Sequence, residues 1–198
     1  MQRREEPGRI AMTVGNGLII DLAELKGGPY GLVPELGAFL GKTASVSFHT
    51  QGHGSGVEMK VTDRFTDSRT TTTVHVQWDA VTQRDLQCFA DLAEAAEHGA
   101  YGVAILLICK MTGLCIRSRS PKGTGIDYWL GPEGGDDEYP FQNVARLEVS
   151  GTGQHRQSEV SRRVRIKEKQ TDRSAYTHLP AYVVVVDFPT PASHVVKR

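Results

Sequence analysis

The chain has 198 residues, enough for one domain with a substantial core, and its 23 basic residues are balanced by 23 acidic ones, so net charge points to neither a nucleic-acid nor a membrane partner. Cys88, Cys109 and Cys115 are odd in number and lack a CxxC spacing, which argues against a disulfide or zinc framework and for free thiols in a reducing compartment. A cytoplasmic, soluble protein is expected: the opening MQRREEPGRI has no apolar run behind its charges, and the longest apolar stretch, Ala100 to Cys109, is too short to span a bilayer.

The first forty or so residues are rich in Gly and Pro around short apolar pieces. They read as turns with one strand and a short helix. TASVSFHT (43–50), SGVEMKVTD (55–63) and TTTTVHVQWD (70–79) alternate in polarity between turn-forming segments and predict an antiparallel meander. At Thr82 the period changes to that of a helix. Thr82 and Asp85 form a capping pair, Leu86, Ala90, Ala93, Glu97, Ala100 and Ala104 share a face, and Thr112-Gly113 is the expected end. Gly99 and Gly102 allow close packing in its apolar half.

Beyond this helix, LCIRSRS (114–120), GIDYWL (125–130) and VARLEVSG (144–151) alternate like strands of one sheet. A basic segment from Ser158 to about Arg173 reads as a helix capped by Ser158 with Glu159 in its first turn. AYVVVVDF (181–188) reads as a strand covered on both faces. Helices on a mixed sheet make an α/β (α+β) layer fold, with an N-terminal β-rich extension over 1–81 and an α/β core over 82–198 in one compact unit.

Asp127 stands among Ile126, Tyr128, Trp129 and Leu130, where an unpaired carboxylate is costly. The simplest hairpin register sets it opposite Glu148, Trp129 opposite Arg146, and Ile126, Tyr128 and Leu130 on the other face with Ala145, Leu147 and Val149. Two facing carboxylates repel unless one is protonated or a cation lies between them. Mg²⁺ or Mn²⁺ resolves that conflict, since such ions take one or two carboxylates plus waters and phosphate oxygens. A salt bridge from Asp127 to Arg117 or Arg119 on the preceding strand is the plain alternative, as is a solvated hairpin face for Glu148 and a satisfied acid for Glu97.

A helix bearing an acidic residue, a strand, GTGID on a second strand, LEVS on a third, then a helix and a strand resembles the core of the PD-(D/E)xK nuclease superfamily, from roughly Thr82 to Phe188. The resemblance implies a restriction-endonuclease-like sheet and a metal-dependent phosphodiesterase acting on DNA, with a role in bacterial defence or DNA processing. It implies catalytic roles for Asp127, Glu148 and Glu97 (less so Glu94), and metal ligation by Asp127, Glu148 and the carbonyl of Val149. The third motif position is Ser150 where the family carries lysine, and Lys122, Arg146 or Lys167 is then needed to supply the charge.

Arg162, Arg163, Arg165, Lys167 and Lys169 bias the second helix toward phosphate contacts, although a solvated helix face is the commoner explanation of such a run. A catalytically inactive, nuclease-like subunit of a multi-protein complex or homo-oligomer keeps the fold without the chemistry. An unrelated small-molecule or peptide module is a third reading. His49 and His53 sit in a Gly-rich turn without a third ligand and read as loop residues. No GxGxxG, Walker pattern or nucleophile elbow is present.

Overall fold

The computed structural model describes residues 18–132, 143–153 and 157–198, with side chains in the last segment from Val160 onward. The chain is mixed α/β: one eight-stranded sheet in the order β1-β3-β2-β8-β7-β6-β5-β4 carries helices on both faces. Its strands are β1 (Leu18–Asp21), β2 (Val57–Arg64), β3 (Thr70–Gln77), β4 (Leu114–Arg119), β5 (Tyr128–Pro132), β6 (Ala145–Thr152), β7 (Ala181–Asp187) and β8 (Ala192–Lys197). The helices are α1 (Pro34–Thr50), α2 (Gln83–Cys88), α3 (Leu92–Thr112) and α4 (Gln157–Gln170), with short 3₁₀ helices over Leu22–Lys26 and Thr171–Thr177.

Residues 43–50, expected as a strand, are the C-terminal half of α1. Pro34 starts that helix after an extended Val33, the preferred place for proline. The hydroxyls of Thr43, Ser45, Ser47 and Thr50 then donate to carbonyls three or four residues back, so the alternating polar groups are satisfied inside the helix. The expected three-strand meander is accordingly a β2–β3 hairpin, with β1 added parallel to β3. Residues 18–81 extend the sheet of the rest of the chain, because β2 pairs in parallel with β8.

The long helix expected from Thr82 is two helices. The Thr82–Asp85 capping box forms as read, but Phe89 leaves helical geometry and the Asp91 carboxylate accepts from the N–H groups of Ala93 and Glu94, starting α3 afresh. Gly113, at φ 70°, closes α3 where expected. A Cβ on Gly99 would lie 2.8 Å from Ala44 Cα and one on Gly102 2.9 Å from Leu40 O, so these glycines set the α1–α3 separation. By length and composition α3 is apolar enough to cross a membrane, yet it is largely buried between α1 and the sheet.

Strands β4, β5 and β6 form an antiparallel run, and β6 continues in parallel to β7 through α4. The β5–β6 register is the one inferred: Tyr128 faces Leu147, Trp129 faces Arg146 and Leu130 faces Ala145. The chain does not close with the strand over 181–187. β8 follows as its antiparallel neighbour and joins the two halves of the sheet. On one face α1 and α3 cover the larger core, which includes Phe48, Ile105, Leu107, Tyr128 and Val184. On the other, Val160 and Val164 of α4 pack on Val183, Val185 and Val196. The Ser158 cap and most of the acidic loop over 131–143 lie outside the described residues or side chains.

Candidate functional site

Asp127 lies just before β5, in the turn shaped by Gly123 and Gly125, and at both glycines φ is positive. At Gly125 a Cβ would come 2.1 Å from the Gln170 carbonyl, so only glycine lets the turn sit against the end of α4. The Asp127 N–H donates to Leu147 O at 2.8 Å, which extends the ladder by one step and leaves its side chain beside Glu148.

The two carboxylates meet different surroundings. Asp127 Oδ2 accepts from the Val149 N–H at 2.9 Å, and Oδ1 accepts from the Tyr101 hydroxyl at 2.9 Å. Arg119, over the rings of Tyr101 and Tyr128, lies 3.7 Å from the same oxygen, so the ion pair proposed as the plain alternative is present beside these hydrogen bonds. Burial, and then the Asp127 charge, raise the Tyr101 phenol above its ordinary range and keep it a donor. Arg117 reaches the Pro132 carbonyl instead.

Glu148 is 1 % exposed. Its Oε1 accepts from Lys167 Nζ at 2.5 Å and from the Gln170 amide at 2.9 Å, while Oε2 is buried with no hydrogen-bond partner among the described residues. Burial and then the neighbouring Asp127 carboxylate push the Glu148 pKa up to about 7, against the opposing pull of Lys167. Near neutrality Glu148 is therefore poised to hold a proton.

A cleft of about 630 Å³ opens beside this pair, between the first turns of α3, the C-terminal half of β6 and α4. Glu97, Tyr101, Val149, Ser150, Arg163 and Lys167 line it. Glu97 is exposed on the cleft wall rather than buried in the core, and Glu94 turns away to His98. Val149 directs its N–H toward Asp127, and the alternation of the strand sets its carbonyl on the same side. Ser150 Oγ accepts from Arg163 at 3.2 Å, as does the Gly151 carbonyl.

Of the three basic residues considered as substitutes at the Ser150 position, Lys167 reaches the pair. Lys122 is exposed in the turn ahead of Asp127. Arg146 is buried and donates to the Leu179 and Thr171 carbonyls and to Ser174, binding the 3₁₀ segment after α4 to the sheet. Gln170, absent from the sequence-based set, is placed at Glu148 only by the docking of α4. Along that helix Arg163 and Lys167 turn to the cleft, Arg165 turns to the opposite flank, and Arg162 and Lys169 are exposed. His53 bonds the Phe188 and Pro189 carbonyls, and His49 lies in the last turn of α1, so neither belongs to the cleft.

The residues suit a divalent cation as a two-carboxylate donor set with one orphaned buried oxygen and an adjacent carbonyl. Among the described residues no three His, Cys, Asp or Glu side chains converge on one point, so such an ion would take its remaining ligands from water or substrate oxygens. Fold and site together define a mixed α/β protein with a carboxylate pair, Glu148 buried and Asp127 half-buried, next to a cleft walled in part by Arg163 and Lys167. Compared with known proteins, the chain matches no family model, and no curated protein or solved structure at a significant level.

Proposed function

We propose that the protein is a metal-dependent phosphodiesterase acting on nucleic acid, with a core of the restriction-endonuclease type. The observation that carries this reading is the buried Glu148, whose Oε2 has no hydrogen-bond partner among the described residues, next to Asp127 and between the cleft-lining Val149 and Lys167. The order α3-β4-β5-β6-α4-β7, antiparallel through β6 and parallel into β7, supports it as the arrangement expected of that core. A Mg²⁺ or Mn²⁺ ion held by Asp127, Glu148 and the Val149 carbonyl would lower the pKa of a bound water and stabilise charge on the phosphoryl group.

The chain's own groups have separable tasks in this scheme. Tyr101 and the Val149 N–H hold Asp127 in a single orientation. Lys167 brings from α4 the positive charge that Ser150 lacks, next to Glu148, where it offsets negative charge developing on a phosphoryl oxygen. Arg163 and Lys167 line the same wall and suit the backbone of a bound strand.

One observation favours a second reading, an inactive subunit of a larger complex: Arg119 and Lys167 already pair with the two carboxylates. Titrating Mg²⁺ and Mn²⁺ into the wild type and Asp127→Asn, with supercoiled and single-stranded DNA as substrates, separates the two. The nuclease reading expects saturable binding and cleavage in the wild type, both lost in the variant. Absence of metal binding in both proteins would leave the carboxylates as ion pairs and favour the inactive subunit.

A further inference from the structure

The second flank of α4 carries a cavity that the carboxylate cleft does not use. It measures about 260 Å³ and lies between α4 and the adjoining strands β2 and β8. Arg64, Arg69, Arg165 and His194 converge on it, together with Thr62 and Glu168. Thr62 and His194 are cross-strand neighbours on the floor, and Arg69 reaches the cavity from the segment between β2 and β3.

Its charges do not cancel. Arg64 pairs with Glu168, but Arg69 and Arg165 have no ion pair among the described residues. The imidazole of His194 is half-buried, and burial, then the Arg69 charge, lower its pKa. A cavity with two uncompensated guanidinium groups, a hydroxyl and a desolvated imidazole is complementary to a compact oxyanion. An anion seated there would pair both arginines and favour the charged form of the ring.

We propose that this cavity is an anion subsite that takes a phosphate group, held by Arg69 and Arg165 with His194 as a third donor. It stands on its own charges and does not depend on the chemistry assigned to the carboxylate cleft. The phosphate belongs either to a nucleic-acid strand passing α4 or to a free phosphate species. Arginine is the side chain suited to either, because its planar fork matches a phosphate edge.

The test follows the His194 ring protons by NMR, assigned against His194→Gln, in the full chain with EDTA present. Inorganic phosphate is titrated into the wild type, Arg69→Gln and Arg165→Gln, and thermal unfolding checks that these exposed substitutions leave the fold intact. Saturable movement toward the protonated ring position, weakened about tenfold or more in each arginine variant, is expected. A short DNA duplex is then added to the phosphate-loaded protein. Displacement of phosphate identifies a strand as its source, and continued phosphate occupancy identifies a free species; either result upholds the subsite. Absence of saturable movement, or equal affinity in the arginine variants, overturns it. Because no metal or cleavage is involved, failure here is distinct from failure of the nuclease reading.

Discussion

Two regions of one sheet treat charge in opposite ways. β6 and β7 run between α3 and α4, and Ala145 through Ser150 and all of Ala181–Asp187 are buried. β2 and β3 are covered chiefly on the α1 side, and their burial alternates along each strand. A polar group on the open face, such as Lys60 or Thr73, is solvated by water. A polar group on β6 must find every partner inside the protein. Arg146 does so through several hydrogen bonds, whereas Glu148 leaves one oxygen unanswered. An incomplete shell is cheap on the open half and expensive on the doubly covered half, and under the proposed reading a bound cation would repay that cost at Glu148.

The sharpest way to break this comparison is to remove a charge from each half. Arg146→Met should lower stability by about 3 kcal/mol in urea unfolding, because the buried acceptors at Thr171 and Ser174 and the half-buried Leu179 carbonyl lose their donor. Lys60→Met on the open face should stay within about 0.5 kcal/mol. Equal effects would mean that burial does not govern the cost.

Glu148 sharpens it through pH. Its folded pKa, about 7, lies above the ordinary 4.5. Between those values the folded state binds more protons than the unfolded one, so stability contributed by this group is full below pH 4.5 and falls as pH rises toward 7, then levels off. Without metal, the wild type should lose on the order of 2 kcal/mol across that window relative to Glu148→Gln, in which this component is absent. Urea midpoints measured at pH 5 and pH 8 test it; parallel profiles for the two proteins would count against a buried, strained carboxylate.

The smallest effect is expected from Lys167→Met. Loss of the ammonium at Oε1 should move the Glu148 titration upward by about one unit, followed by carboxyl NMR. An unchanged midpoint would show that α4 does not control the pair.

Legibility followed the range of the interactions. The Thr82–Asp85 box, the Gly113 stop and the β5–β6 register each depend on residues close in sequence or on strict alternation, and each is present. The opposition of Asp127 and Glu148 came with that register. The α1 segment misled because alternating Thr and Ser suit a strand and suit equally a helix whose hydroxyls bond back to its carbonyls. The break at 89–91 had its signal in Asp91, a helix-starting residue inside an otherwise continuous periodic pattern. The polar, short β8 carried little strand signal of its own.

Local pattern thus settled the mixed α/β class, the helix start at Thr82 and stop at Gly113, and the pairing that sets two acids face to face, since these depend on periodicity and short-range hydrogen bonding. Tertiary structure alone decided that Lys167 and Gln170 reach Glu148, that Tyr101 and Arg119 reach Asp127, and that Arg69 and Arg165 line one cavity beside α4. Those contacts join residues on elements brought together only when the sheet is assembled, and no spacing along the chain encodes which flank of a helix will face a carboxylate.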